Sequence, residues 1–176
     1  MECLKSEFGR FYLLPEGGTN DLAVKGCEEI LSEKDKAFTH VCCAMGTGGT
    51  VTGIINSSVL TQNILIFPSL KGNWMAEEIK QLKPNKQNWE VVSGYHCGGY
   101  GKVSEELITF INRFKTETTI PIDPVYTGKL LFGIVDLIKN DYFPRNSKVL
   151  AIHTGGLQGI EGMNTVLQRK KLPQIL

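Results

Sequence analysis

The 176-residue sequence predicts a three-layer α/β fold, in which a mostly parallel sheet carries helices on both faces. Five short apolar runs show no alternation of polar and apolar residues, as expected for strands that are covered on both sides. Longer segments with helical spacing separate these runs, so strands and helices alternate along the chain. We therefore expect residues 1–176 to form a single α/β region.

The predicted strands are the five apolar runs, at residues 11–14, 40–44, 63–67, 89–93 and 148–153. The predicted helices mostly begin at residues whose side chains can accept a hydrogen bond from a free backbone N–H. Their expected extents are 21 to about 33 after Asn20, a segment after Gly49, 74 to about 82 after Asn73, a segment after Ser104, and Thr127 to about 139.

Composition excludes several classes of protein. Hydrophobic residues make up 41% of the chain and charged residues 21%, and the net charge is +1, so nothing favours nucleic acid or an anionic membrane as a partner. No apolar run approaches the ~20 residues that span a bilayer. The three histidines lack zinc-ligand spacing, so we expect no metal site. Five cysteines without a disulfide pattern indicate free thiols and a cytoplasmic protein.

Five polar or glycine-rich segments each follow a predicted strand or open a predicted helix. In open α/β sheets, ligands bind beyond the carboxyl ends of the strands, so we expect all five segments to meet at one edge of the sheet. They are residues 15–20 (PEGGTN), 46–50 (GTGGT), 94–102 (GYHCGGYGK), 123–129 (DPVYTGK) and 153–156 (HTGG).

The glycine turn at residues 46–50 has the residue pattern of an anion-binding loop between a strand and a helix. It is not a P-loop, because no lysine follows, and it is not GxGxxG, because the third glycine is replaced by Val51. The backbone amides of residues 47–50 and the positive end of the following helix can still converge on a phosphate. A plain strand-to-helix turn is the alternative.

Taken together, PEGGTN, MGTGGT, GGYG, DPVYTGK and HTGG resemble the 1-aminocyclopropane-1-carboxylate deaminase / D-cysteine desulfhydrase family. The resemblance extends from about residue 11 to residue 159. It implies pyridoxal 5'-phosphate as cofactor and a small amino acid as substrate. It also implies the tryptophan synthase β-like fold (fold type II), a homodimer, and a chain that corresponds to the C-terminal part of a longer two-domain enzyme.

The resemblance also implies a role for each matching residue. The cofactor phosphate is expected against the glycine turn, the pyridine ring beside two tyrosines with catalytic roles, and the substrate near HTGG. The implied assignments are Thr47, Gly48, Gly49 and Thr50 for the phosphate, Tyr126 and Tyr100 for catalysis, Tyr126 and Thr127 for the cofactor ring, and Thr154 and Gly155 for the substrate pocket.

Two positions favour one branch of the family. Deaminases that open the cyclopropane ring carry Glu where Thr127 stands and Leu where Thr154 stands. The resemblance therefore implies a D-cysteine desulfhydrase-like α,β-elimination, which releases sulfide, pyruvate and ammonia, with deamination as the alternative. A threonine can also donate to an unprotonated ring nitrogen, although Thr127 would serve equally as a helix N-cap.

One expected motif is missing. The Schiff-base lysine of the family lies in a GNKxRK-like motif that this sequence lacks, so we expect the isolated chain to be inactive. Lys129 is nearest in sequence to the ring-facing residues, but it is not a convincing substitute, and either an anionic partner or an exposed position suits it. A non-catalytic domain that binds a phosphorylated metabolite or another protein is the alternative function.

Overall fold

The centre of the molecule is a four-stranded parallel sheet, seen in a computed structural model that describes residues 2–176. The strands lie in the order β3-β2-β1-β4. Their bounds are β1 His40–Met45, β2 Asn63–Pro68, β3 Trp89–Val91 and β4 Val149–Ala151. The predicted α/β class, the parallel sheet and four of the five predicted strands are confirmed.

Seven α-helices surround the sheet or extend from it. Their bounds are α1 Glu2–Phe8, α2 Asp21–Cys27, α3 Gly49–Ser57, α4 Met75–Gln81, α5 Glu105–Thr118, α6 Thr127–Lys139 and α7 Gly159–Arg169. Short 3-10 helices occur at Glu16–Gly18 and Glu33–Ala37. Two predicted caps are confirmed, since Asn20 accepts a hydrogen bond from Ala23 N (2.9 Å) and Ser104 accepts one from Leu107 N (3.1 Å).

β1 is the central strand and fixes the position of the ligand-binding edge. It pairs with β2 over its whole length, from His40 opposite Asn63 to Met45 opposite Pro68, and with β4 on its other side. The chain therefore proceeds from β1 to β2 to β3 in one direction and returns to the opposite side of β1 for β4. This reversal opens a crevice beyond the carboxyl ends of β1 and β4, where doubly wound sheets bind ligands.

Side chains of β1 alternate between two buried layers. Cys43 and its odd-numbered neighbours pack beneath α3 and α4, whereas Cys42 and Ala44 pack against α6. Helices therefore cover both faces, as predicted, and the adjacent cysteines point to opposite sides. A further cluster joins α5 to α6 and α7, around Ile108 and Ile111. All five cysteines are free.

The predicted strand at residues 11–14 is wrong. This segment has no regular structure, and it exposes 73% of Tyr12, 55% of Leu13 and 70% of Leu14. An apolar run predicts burial, but no strand of residues 2–176 pairs with this one.

Two predicted helix boundaries also differ from the structure. α2 ends at Cys27 instead of near residue 33, and a separate 3-10 helix follows Ser32, whose N–H and hydroxyl both donate to Asp35 Oδ2. Asn73 does not cap α4, which begins at Met75 without a side-chain cap. Within residues 2–176 the longest helix has 14 residues, and none has the length and apolarity needed to cross a membrane.

Candidate cofactor-binding site

The turn between β1 and α3 forms a cup of backbone N–H groups. β1 ends at Met45, and α3 begins at Gly49 with Gly48 as its N-cap residue in the left-handed region (φ 94°), where glycine is favoured. The first N–H groups of an α-helix have no acceptor within the helix and carry its positive dipole end. Residues 47–50 therefore present free donors at the carboxyl edge of the sheet.

Two adjoining cavities open at this edge. The smaller, about 310 Å³, lies against the cup and extends to Thr154, while the larger, about 830 Å³, extends to Tyr100 and Trp74. Together they draw lining residues from all five predicted segments, so the expected meeting of these segments is confirmed. The residues that line both cavities are Gly17, Thr19, Gly46, Thr47 and Tyr126.

Tyr126 forms the wall between the cup and the rest of the site. A Cβ atom on Gly46 would lie 3.3 Å from Tyr126 Cε1, so glycine at this position lets the aromatic ring lie directly on the turn. The Tyr126 and Tyr100 rings meet edge to face with centroids 6.0 Å apart. Burial raises the pKa of the Tyr126 phenol, and the neighbouring Tyr100 adds to the increase. Tyr126 therefore stays protonated near neutral pH and can donate a proton or a hydrogen bond.

The start of α6 is organised around the buried Asp123 carboxylate. Asp123 Oδ1 accepts hydrogen bonds from Val125 N and Tyr126 N (both 2.8 Å), and Oδ2 accepts from Thr127 N (2.8 Å). These bonds satisfy free N–H groups at the helix start and hold the backbone of Tyr126 at the cavity wall. The side chain of Asp123 therefore caps the start of α6, a role that the sequence analysis considered for Thr127.

Thr127 lies behind the cavity wall instead of on its surface. It is fully buried, its hydroxyl donates to Asp123 Oδ2 (2.6 Å), and Thr127 Oγ1 accepts from Asp123 N (2.9 Å). Thr127 lines neither of the two cavities. Its implied contact with the pyridine nitrogen remains a prediction that would require this hydroxyl to leave Asp123.

The HTGG segment reaches the cup through Thr154. Thr154 lines the smaller cavity with residues 46–50, whereas Gly155 lines neither cavity. The segment is held by His153, whose Nδ1 accepts from Gly155 N (3.1 Å) and whose Nε2 lies 3.0 Å from Pro121 O. These contacts favour the tautomer with its proton on Nε2.

Lys129 is buried, so the exposed position considered from the sequence is wrong. Only 1% of its surface is accessible, and Nζ donates to Gly99 O (2.8 Å) and to Ser69 O (3.4 Å). Its partners are thus backbone carbonyls. Burial lowers the pKa of Lys129, although Cys97 and Asp123 act in the opposite direction. The ammonium ties α6 to the segment that carries Tyr100.

Sequence reasoning did not assign Gly17 or Thr19 a role, yet both line the two cavities. Thr19 Oγ1 lies 2.6 Å from Thr47 Oγ1, which joins residues 15–20 to the rim of the cup. The available signal was the position of PEGGTN just before a helix. A contact across 28 residues cannot be read from that pattern.

The residues at this edge fit the phosphate of a phosphorylated cofactor. A glycine turn without Cβ atoms, free N–H groups, threonine hydroxyls and an adjoining aromatic wall suit a phosphate at one end and a planar ring at the other. Among the residues that line the two cavities there is no lysine. The donor set therefore fits non-covalent binding of the phosphate, and within these cavities it offers no amine for a bond to the ring aldehyde.

Comparison with known proteins identifies relatives of this chain. No protein-family model matches the chain. A Pyrococcus horikoshii protein, provisionally named 1-aminocyclopropane-1-carboxylate deaminase, is 30% identical over 174 residues, which cover 90% of this chain and 53% of the relative. The D-cysteine desulfhydrase of Serratia proteamaculans is 28% identical over 176 residues, covering 87% and 52%. A mitochondrial bifunctional D-cysteine desulfhydrase/1-aminocyclopropane-1-carboxylate deaminase of Arabidopsis thaliana is 29% identical over 182 residues, covering 90% and 45%.

Solved structures agree with the sequence relatives. A crystal structure of an ACC deaminase homologue superposes with a TM-score of 0.73 at 28% identity, covering 94% of this chain and 57% of the other. The processed threonine deaminase isoform 2 of Solanum lycopersicum, at 15% identity and a TM-score of 0.57, shares the fold. The fold is that of type II pyridoxal phosphate enzymes. The chain is therefore similar to proteins named 1-aminocyclopropane-1-carboxylate deaminase and D-cysteine desulfhydrase, and it spans about half the length of the curated relatives it matches.

Proposed function

We propose that this chain is the phosphate-binding part of a pyridoxal 5'-phosphate-dependent lyase that acts on a small amino acid. The observation that carries the proposal is the cup at residues 47–50, which faces an aromatic wall formed by Tyr126 and Tyr100. D-cysteine desulfhydrase-like α,β-elimination is the favoured reaction, because Thr127 and Thr154 differ from the residues of the cyclopropane-opening branch.

In this proposal each part of the site has a distinct task. The N–H groups of residues 47–50 hold the phosphate, and the aromatic wall orients the ring. Pyridoxal phosphate supplies an electron sink for the substrate Cα when it is bound. Tyr126 holds a proton at its phenolic oxygen at neutral pH and donates it, with Tyr100 beside it as a second hydroxyl. Thr154, which lines the smaller cavity, contacts the substrate.

The chain alone is expected to bind the cofactor without turning over substrate, since no lysine lines the cavities. The test is equilibrium dialysis with pyridoxal 5'-phosphate and with unphosphorylated pyridoxal. The phosphorylated form should bind at least roughly tenfold more tightly, because a phosphate brings several charge-assisted hydrogen bonds. Equal binding of the two compounds would refute the phosphate cup.

A matched pair of glycine variants sharpens this test. Gly48→Ala places a Cβ on a left-handed residue 3.1 Å from Leu82 Cδ1, whereas Gly9→Ala places one on a left-handed residue (φ 64°) with no atom within 4 Å. Only Gly48→Ala should weaken binding of pyridoxal 5'-phosphate. The expected inactivity is measured separately as sulfide release from D-cysteine, and borohydride reduction with mass mapping checks for a lysine adduct. Sulfide release together with a stoichiometric adduct would contradict the inactivity.

The absence of a cavity lysine also favours a second candidate, a non-catalytic domain that binds phosphorylated metabolites. Such a domain would bind ribose 5-phosphate, which has no pyridine ring, as tightly as pyridoxal 5'-phosphate. A clear preference for the compound with the pyridine ring would exclude this candidate.

A further inference from the structure

Residues 15–20 cover one side of the phosphate cup. Gly17 and Thr19 line both cavities, and Thr19 Oγ1 lies 2.6 Å from Thr47 Oγ1 on the rim of the cup. Thr19 is only partly exposed. Residues 15–20 and residues 46–50 therefore line the same space.

Close packing fixes the position of the Thr19 hydroxyl. A Cβ atom on Gly49 would lie 3.1 Å from Thr19 Oγ1, and one on Gly17 would lie 2.5 Å from Thr47 Oγ1. Glycine at both positions allows the two segments to approach until the hydroxyls meet. Either Cβ would crowd a hydroxyl group.

The covering segment is also held in shape at both ends. Gly18 N donates to Pro15 O (2.9 Å), and Gly17 and Gly18 adopt left-handed φ values of 62° and 68°. Asn20 caps α2 by accepting from Ala23 N. Thr19 is thus presented by a tight turn on one side and a helix start on the other, which lowers the entropy lost when its hydroxyl binds a ligand.

The hydroxyls of Thr19 and Thr47 can donate hydrogen bonds to a phosphate in addition to those from the backbone N–H groups of the cup. Each hydroxyl has one proton, and in the pair one hydroxyl donates to the other, so one proton is free. A phosphate dianion between the two segments can accept from both hydroxyls once they rotate away from one another. The hydroxyls then add charge-assisted hydrogen bonds to those from the amides of residues 47–50.

We infer that Thr19 and Thr47 form a hydroxyl clasp that closes on the phosphate group of the ligand and selects a phosphorylated compound over its unphosphorylated form. The inference rests on the proposed function and adds Thr19, on the covering segment, to its phosphate-binding residues. The clasp involves no covalent step. It predicts that removal of the Thr19 hydroxyl weakens binding through the phosphate alone.

The test compares Thr19→Val, which keeps the shape but loses the hydroxyl, with Thr19→Ser, which keeps the hydroxyl. Thr116→Val on the exposed surface of α5 is the matched control. Dissociation constants for pyridoxal 5'-phosphate and pyridoxal are measured by equilibrium dialysis. Thr19→Val should bind the phosphorylated compound roughly tenfold more weakly, in line with one lost charge-assisted hydrogen bond. Thr19→Ser and Thr116→Val should match the wild type, and pyridoxal binding should not change.

A second pair of variants tests the covering segment without touching Thr19. Gly17→Ala and Gly18→Ala impose the same left-handed strain, but only the Gly17 Cβ meets Thr47, whereas the Gly18 Cβ has no atom within 4 Å. Gly17→Ala should weaken pyridoxal 5'-phosphate binding more than Gly18→Ala. This comparison remains decisive if Thr19→Val does not fold.

The outcomes separate the clasp from the proposed function. Wild-type preference for the phosphorylated compound, with unchanged binding by Thr19→Val, overturns the clasp alone. Equal weakening of both compounds by Thr19→Val shows a structural role only and also overturns it. Failure of the wild-type chain to distinguish pyridoxal 5'-phosphate from pyridoxal overturns the proposed function and the clasp together.

Discussion

Replacement of Lys129 by methionine removes a buried ammonium while keeping a flexible side chain of similar length. Nζ of Lys129 donates to Gly99 O (2.8 Å) and to Ser69 O (3.4 Å), so the variant loses the link between α6 and residues 94–102. Gly99 O keeps a second donor, Lys102 N at 3.1 Å. The loss is therefore mainly one short charge-assisted hydrogen bond.

The expected magnitude follows from two opposing effects. A hydrogen bond to a charged group contributes about 1.5–3 kcal/mol to stability. Removal of a desolvated ammonium offsets part of this loss. We expect the free energy of unfolding of Lys129→Met to fall by about 1–2 kcal/mol near pH 7. Lys102→Met, an exposed lysine on the same segment, should change it by less than about 0.5 kcal/mol.

The deficit of Lys129→Met should also depend on pH. Burial lowers the pKa of Lys129 below its usual value of 10.5 in the folded state. Between that lowered pKa and 10.5, the unfolded chain binds a proton at residue 129 that the folded chain has lost, so the stability of the wild type rises with pH. Methionine has no such proton. The difference between the two proteins should therefore be smallest at neutral pH and grow as the pH approaches 10.5.

The assay is urea unfolding of the wild type, Lys129→Met and Lys102→Met at a series of pH values, followed by tryptophan fluorescence. Groups that do not interact with Lys129 titrate alike in the wild type and in Lys129→Met and cancel in their difference. Cys97 does interact with Lys129, so all the compared proteins carry Cys97→Ser. Unchanged stability of Lys129→Met at pH 7, or a deficit that does not vary with pH, would refute the reasoning.

Two further predictions concern packing and association. Gly53→Ala should lower the free energy of unfolding by about 1–3 kcal/mol, because its Cβ would overlap Cys27 and lie 2.6 Å from Val24 O. The control is Gly162→Ala, whose Cβ has no atom within 4 Å and which should stabilise its helix by about 0.5–1 kcal/mol. Urea denaturation midpoints measure both, and equal effects would contradict the close packing of α2 on α3. The wild type should associate with rising concentration through the exposed apolar residues 11–14, and Leu14→Lys should reduce this association in sedimentation velocity more than Leu60→Lys, an equally exposed but isolated position. Identical sedimentation of the two variants would exclude residues 11–14 as the contact.

The parts of the fold that depend on local pattern could be predicted. Continuous apolar runs gave β1, β2, β3 and β4, and the Ser104 cap and the glycine turn follow from residue types that the local backbone requires. The strand predicted at residues 11–14 is wrong because an apolar run indicates burial but does not show which part of the molecule would cover it. In residues 2–176 nothing pairs with this segment, and the matched relatives are about twice as long.

The candidate site could be predicted only in outline. The edge of the sheet follows from topology, so the five segments were placed together correctly. Whether a threonine hydroxyl faces the cavity depends on which hydrogen-bond partner it takes, and sequence spacing does not show which partner that is. The Thr127 hydroxyl donates to Asp123, four residues away, whereas the Thr19 hydroxyl is hydrogen-bonded to that of Thr47, 28 residues away.

The two adjacent cysteines of β1, Cys42 and Cys43, can report on local opening of the fold. Burial raises the pKa of both thiols to about 12, so at pH 8 roughly one in ten thousand would be ionised even if a reagent could reach it. Labelling therefore requires opening of the structure. Cys42 faces the α6 layer and Cys43 the α3 and α4 layer, so their separate labelling rates measure how often each helical layer lifts from the same strand.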